Sequence, residues 1–306
     1  MAFRADVRSG WADTVEQLES LRAVPGMTVG RALRLLEYSA LPYRFTGEKN
    51  ELQRRFAEHL KWPRYKDGTP LFRIAPLNNH NALLAAHVLS EFIVPTVIDR
   101  IVPETQAVIE LGCGYARHLF AIRELIEHTR PDVRYLGAEI DECGIRGSTL
   151  LSELEPARSP VDIHPFDYTN PDFGFLRGIT NAVVFTCHSV EQVREIPDRW
   201  FIELIKAVPN VTCIHHEPVG WQYNKDLRAR VLAQELTKDL ESTFLFGPMS
   251  DQNTAITPVF NGWNINLVEV IADLERRNIL RSEPPLRNFG GDYLYNPTTQ
   301  IVWTKA

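Results

Sequence analysis

The run Val108-Ile109-Glu110-Leu111-Gly112-Cys113-Gly114-Tyr115-Ala116-Arg117 carries an apolar strand into a tight glycine turn and then into a helix. A strand–turn–helix unit of this kind sets backbone N–H groups and a helix N-terminus beside a bound cofactor. The spacing restricts which cofactor. A dinucleotide fingerprint, G-x-G-x-x-G, needs a small residue at position 117 so that helix and strand pack closely, and this chain has the large, charged Arg117. Its small residues fall instead at 112, 114 and 116, with Glu110 just before them. Glu139 closes the next apolar run. A carboxylate offers only acceptors, so at a strand end it can take hydrogen bonds from both hydroxyls of a ribose. Further on, Cys213-Ile214-His215-His216-Glu217 closes another apolar run. Strand alternation sends His215 and Glu217 to one side and His216 to the other, so the two histidines do not converge on a metal. Glu217, with Trp221 and Tyr223 beyond it, reads either as an acceptor site for an amine, peptide or sugar or as an aromatic packing cluster.

The elements that position these residues alternate. Ala107–Leu111, Val133–Glu139, Val161–His164, Ala182–Cys187 and Val211–His216 read as strands. Ala116–Thr129, Glu142–Glu155 and a stretch over 198–207 read as helices between them. Strands alternating with crossover helices predict an α/β fold, a doubly wound, mostly parallel sheet with helices on both faces. Asn266–Arg277 reads as a further helix, Ile279–Pro284 and Gln300–Thr304 as strands. Asn288-Phe289-Gly290-Gly291-Asp292 between them reads as a turn. The N-terminal part differs: Trp11–Arg22, Thr28–Ser39, Glu48–Leu60 and Ala82–Asp99 carry apolar residues at helical spacing, with a loop from Trp62 to Leu77. This predicts a helical cap over residues 1–100 and a cofactor-binding domain over 101–306. In the loop, Arg64–Gly68 and Arg73–Asn81 are polar stretches that would line an acceptor site if the cap folds over the strand ends.

In order and spacing these segments resemble class I S-adenosylmethionine (SAM)-dependent methyltransferases, whose first motif is an acidic residue followed by G-x-G-x-G. Ala116 replaces the third glycine, a mild departure if a Cβ is tolerated at the helix start. The resemblance implies a seven-stranded, Rossmann-like sheet and SAM as cofactor. It implies Glu110, Gly112, Cys113, Gly114 and Arg117 around the first turn, and Glu139 with Ile140 at the ribose. Asp167 would accept from the adenine amino group, with Phe166 or Tyr168 on the purine face. Cys187 would lie beneath the sulfonium, and His188 would be the base or acceptor-positioning group, oriented by Glu191. A histidine suits that role because its ordinary pKa, about 6.5, lies near working pH. The implied reaction is methyl transfer to an oxygen or nitrogen of a small metabolite or peptide side chain. A catalytically silent SAM-binding scaffold is the alternative, and an NAD-dependent oxidoreductase is disfavoured by Arg117.

Composition narrows the partners. A formal net charge of −6 over 306 residues does not suit binding by phosphate neutralisation. The Asn/Asp-Pro-Pro-aromatic segment of many amino-methylating nucleic-acid enzymes is absent from Thr186–Gln192, so no nucleic-acid partner is expected. No apolar run approaches the roughly 20 residues that span a bilayer, and Met1–Asp6 lacks a signal-peptide core. The four cysteines, Cys113, Cys143, Cys187 and Cys213, are widely spaced and read as reduced thiols of a cytoplasmic protein. The helical N-terminal region leaves room for a homo-oligomer.

Overall fold

In the computed structural model the described residues are 5–36, 72–77, 80–85, 93–233, 235, 255, 262–290 and 298–306. Helix α1 (Ala5–Arg22) is followed by a helical segment over 29–36, and a hairpin of β1 (Phe72–Leu77) and β2 (His80–Ala85) precedes α2 (Ile93–Ile98). Then come β3 (Ala107–Leu111), α3 (Arg117–Ile126), β4 (Arg134–Glu139), α4 (Glu142–Leu154), β5 (Val161–Pro165), β6 (Asn181–Cys187), α5 (Asp198–Ala207) and β7 (Asn210–Glu217). The chain ends with α6 (Lys225–Leu232), α7 (Leu267–Arg276), β8 (Leu280–Ser282), β9 (Leu286–Gly290) and β10 (Thr298–Lys305).

The main sheet runs β5-β4-β3-β6-β7-β10-β8. Its first five strands are parallel, and β10 enters antiparallel against β7. β8 and β9 share the far edge of β10, β8 at Trp303–Lys305 and β9 at Thr298–Gln300, so the sheet has seven strand positions. This is the α/β fold and strand order of class I methyltransferases. From β3 the chain winds outward to β5, then crosses back to place β6 on the other side of β3. That reversal makes the β3/β6 gap the switch point, where ligands bind in sheets of this kind. Every residue of β3 is buried, because helices cover both faces of a central parallel strand. One face packs Trp200, Phe201, Leu204, Leu267 and Trp303, the other Leu18, Val29, Val97, Phe120 and Leu151.

The predicted strands of the sheet lie within a residue or two of those observed, the usual uncertainty of element ends. Thr28 caps the helical segment over 29–36, its Oγ1 accepting from Arg31 N at 3.3 Å. Three expectations are corrected. Phe72–Leu77, taken as loop, and the start of Ala82–Asp99, taken as helix, pair as an antiparallel hairpin from Phe72↔Ala85 to Leu77↔His80. Among the described residues of the second, helix is present at Ile93–Ile98; residues 86–92 lie outside them. Leu286–Gly290, covering most of the expected turn, is an edge strand. The expected helix Glu48–Leu60 and the polar stretch Arg64–Gly68 lie outside the described residues.

Candidate cofactor and acceptor site

The glycine turn alternates in conformation. Gly112, Gly114 and Ala116 have φ of +67°, +54° and +60°, all left-handed. Gly112 N and Cys113 N both donate to Ala138 O, at 2.7 and 3.1 Å, which pins the turn to β4. A Cβ on Gly112 would fall 2.4 Å from Ser189 Cβ, and one on Gly114 would fall 2.6 Å from the Trp11 indole. Trp11 also meets Tyr115 edge-on at 5.2 Å, so α1 lies across the turn. The third small position is therefore less permissive than its sequence implies. Ala116 holds a left-handed backbone that costs an L-residue roughly 1–2 kcal/mol, and α3 begins only at Arg117.

Around the turn stand two buried carboxylates. Glu139 Oε2 accepts from Gly114 N at 2.5 Å, and its Oε1 accepts from Ile140 N at 2.8 Å and Asp141 N at 2.9 Å. Burial raises its pKa above the ordinary carboxylate value. Three of about four acceptor positions are thus taken by backbone amides. Asp141 is the N-cap of α4, accepting from Cys143 N and Gly144 N, and Ile140 beside it is 44% exposed. Glu110 Oε1 lies 2.6 Å from His118 Nδ1, while Arg117 Nε donates to His118 Nε2 at 3.2 Å. Arginine only donates, so Nε2 accepts and Nδ1–H faces Glu110. The other oxygen of Glu110 is buried with no partner among the described residues. The Cys113 thiol is buried and its pKa pushed well up, by burial first and then by Glu110 and Glu139.

After β5, Asp167 Oδ1 accepts from the amide and hydroxyl of Thr169, both at 2.8 Å. No helix follows near Asn170, only a short 3-10 turn at Gly174–Leu176. The expectation that Phe166 or Tyr168 offers a face to a purine meets two buried rings. Phe166 packs among Tyr168, Phe173 and Phe175. The Tyr168 hydroxyl donates to Leu111 O at 2.7 Å and lies 2.8 Å from Ser189 Oγ. Tyr168 therefore ties β3 to the turn after β6, and burial raises its pKa well above the usual value.

That turn carries His188, left-handed at φ +51°. Its Nε2 is 2.8 Å from Thr298 Oγ1 and its Nδ1 3.6 Å from Glu191 Oε1. Cys187 is half-buried on the α3 side of the sheet. Glu217 is fully buried and accepts from backbone amides, Ser189 and Val190 on Oε1 at 3.2 Å each and Glu191 on Oε2 at 3.1 Å. Burial, then the Glu191 charge, raises its pKa to about 7. Glu217 thus faces the chain itself, not an open acceptor surface. Trp221 packs with Leu227, Val231, Ala255 and Ile265, and Tyr223 stacks under Arg287, which settles the aromatic pair as packing. His215 and His216 do point to opposite sides. Trp303 Nε1 donates to His215 Nε2 at 3.0 Å, so His215 Nδ1 carries the proton and donates to Thr186 Oγ1 at 3.0 Å. His216 Nε2 is 2.8 Å from Thr96 Oγ1 on α2. Burial lowers both imidazoles to about 3.

No known family's sequence pattern matches the chain, and no curated protein matches it in sequence. Among solved structures it matches SAM-dependent methyltransferases over most of its length. One is the plantazolicin methyltransferase BpumL in complex with a triazolic desmethylPZN analog and SAH, at 10% identity over 95% of this chain and 98% of that one, TM-score 0.41. Another is a SAM-dependent methyltransferase from Aquifex aeolicus, at 12% identity over 71% and 91%, TM-score 0.41. The PH0226 protein from Pyrococcus horikoshii OT3 is similar at 16% identity over 70% and 88%, TM-score 0.39.

The strand ends bring together the glycine turn, Glu110, Glu139, Ile140, Arg117, Asp167, Cys187 and His188 at one end of the sheet. Sequence reasoning missed Trp11, Ser189 and Thr298. Trp11 and Thr298 reach the site from distant segments, and Ser189, next to His188, acts across the β3/β6 pairing on Leu111, so no local pattern marks their roles. The residues fit a nucleoside cofactor on one observation, a buried Glu110 oxygen without a partner among the described residues beside the glycine turn; the two glycines themselves are packed by Ser189 and Trp11. Among the described residues, no helix is long and apolar enough to cross a membrane.

Proposed function

We propose that this chain is a SAM-dependent methyltransferase acting on an oxygen or nitrogen of a small metabolite or a peptide side chain. One observation carries the reading: at the switch point, a left-handed glycine turn and the buried carboxylate closing the next strand meet through the Gly114–Glu139 hydrogen bond. When bound, the cofactor supplies a methyl group already activated on a sulfonium. Glu139 and Ile140 would hold the ribose, Asp167 would border the adenine, and Glu110, Gly112, Cys113, Gly114 and Arg117 would line the turn. Residues 1–100 would cap the strand ends and 101–306 would hold the cofactor. His188 would take the acceptor's proton, Cys187 lying beside it. Most of the rate gain would come from alignment, and a dry pocket favours a step in which charge is neutralised.

Calorimetric titration of the full chain with SAM, S-adenosylhomocysteine and NAD, repeated on Glu139→Ala, tests this. Binding of the first two alone, weakened at least tenfold in the variant, is expected. Binding of NAD, or of nothing, would sink the reading. Binding with no methyl transfer across an acceptor screen would favour the silent scaffold.

A further inference from the structure

A residue with a Cβ is held left-handed only where its surroundings over-determine the backbone. At His188 they do so through Glu217. The three amides that follow His188, those of Ser189, Val190 and Glu191, all donate to this one carboxylate. His188 N itself donates to His216 O at 3.0 Å. Ser189 Oγ then donates to Leu111 O at 2.9 Å, fastening the same turn to the cofactor side. Glu217 is 0% exposed, and among the described residues no lysine or arginine pairs with it. Its carboxylate does not meet solvent; with the Thr186 hydroxyl as a further partner, it organises a turn. The His188 ring, its side chain 22% exposed, is left between the Thr298 hydroxyl and the Glu191 carboxylate. An imidazolium there could donate from Nε2 to Thr298 Oγ1 and direct its Nδ1–H at Glu191. The titratable groups facing it among the described residues are Glu191 on its own turn, and Glu217 and His216 from β7.

We infer that Glu217 is a positioning residue: it holds residues 189–191 so that the His188 ring sits between Thr298 and Glu191 as a proton acceptor. Resting on the methyltransferase reading, this assigns the acceptor to hydroxyls or amines, whose nucleophile has a proton to lose, rather than to carboxylates. In that step the acceptor's O–H or N–H bond breaks and the proton goes to Nε2 of the His188 imidazole, whose hydrogen bond from the Thr298 hydroxyl gives way to it, while Nδ1–H stays directed at Glu191. The acceptor's electron pair bonds the methyl carbon, and the carbon–sulfur pair stays on sulfur.

The test is NMR titration of the His188 imidazole in the full chain, assigned by its absence in His188→Asn. Glu191→Gln is expected to lower the proton affinity of the ring about tenfold, since an opposite charge at this distance is worth about one pH unit or more. Glu217→Gln should change it at least threefold while leaving S-adenosylhomocysteine affinity within about twofold. A folded Glu217→Gln whose His188 titration overlays the wild type overturns the inference. Should that variant fail to fold by circular dichroism, the wild type decides. The amide protons of residues 189–191 and the His188 ring must then report one common titration step, and its absence overturns the inference. If wild type binds no S-adenosylhomocysteine, the methyltransferase reading and the acceptor class fall, while the NMR result still tells whether Glu217 positions His188.

Discussion

Replacing Gly112 by alanine tests the construction of the cofactor turn with a single methyl group. Two costs add. The left-handed backbone, φ +67°, disfavours a Cβ by roughly 1–2 kcal/mol. The methyl would also fall 2.4 Å from Ser189 Cβ, 2.8 Å from its Oγ and 3.2 Å from the Tyr168 hydroxyl. Neither neighbour can retreat cheaply, because Ser189 Oγ and the Tyr168 hydroxyl both donate to Leu111 O, at 2.9 and 2.7 Å. Overpacking of this kind costs about 1–3 kcal/mol. The unfolded chain loses some freedom on gaining alanine, which returns about 0.4–1 kcal/mol. The net expectation is a loss of roughly 1–5 kcal/mol. Gly26 supplies the control, since it is left-handed at φ +71° with nothing within 4 Å of its would-be Cβ. Gly26→Ala should therefore lose only about 1 kcal/mol or less. Urea unfolding of both variants, followed by circular dichroism, gives the difference directly. If Gly112→Ala loses no more than Gly26→Ala, the contact between the turn and Ser189 is not the close packing described.

Ala116→Gly should act in the opposite sense, relieving a left-handed alanine at φ +60°. A rise in unfolding free energy of up to about 1 kcal/mol is expected after the glycine's greater unfolded freedom is deducted, and a loss in urea would contradict it. Trp303→Phe removes the indole donor to His215 Nε2 and leaves this buried acceptor only the weak Cys213 thiol at 3.8 Å. A loss of about 1–3 kcal/mol in the same assay is expected, with no loss meaning that the bond does not form. Acid should unfold the protein through His215 and His216. Both have folded pKa values of about 3 against an ordinary 6.5, so their stabilisation is complete above 6.5 and lost as pH falls towards 3. Glu217, raised to about 7 from 4.5, works the other way, but only between those two values. Below pH 4.5 Glu217 no longer offsets the histidines, which as a pair lose about 2.7 kcal/mol per pH unit. Unfolding free energies that stay flat between pH 4.5 and 3.5 would refute their buried, neutral state.

What the sequence disclosed, and what it hid, divides by how far apart the interacting residues lie. The strands Ala107–Leu111 and Asn181–Cys187 were legible because a parallel strand covered on both faces must be apolar almost throughout. The glycine turn and Glu139 were legible because one strand–helix–strand unit contains them, and the Gly114–Glu139 hydrogen bond closes within it. The hairpin Phe72–Ala85 was hidden because its second strand, His80–Ala85, is a short apolar run that fits helical spacing equally well. The two asparagines between its strands were the signal that would have marked it. Strand β9 was hidden because glycines that read as a turn also serve at an edge, where pairing with β10 decides. Ala116 shows a different limit, since a residue's type reports that a Cβ is present and not the φ at which it must be carried. Glu217 shows the last. Its charge and its place at a strand end pointed outward to a substrate, yet what fixes its role is who donates to it. Those donors sit some 26–28 positions earlier, across a strand pairing that no local pattern encodes. A carboxylate read from sequence is an acceptor without an address. The sheet supplies the address, and here it turns a candidate substrate ligand into the clamp of the histidine turn.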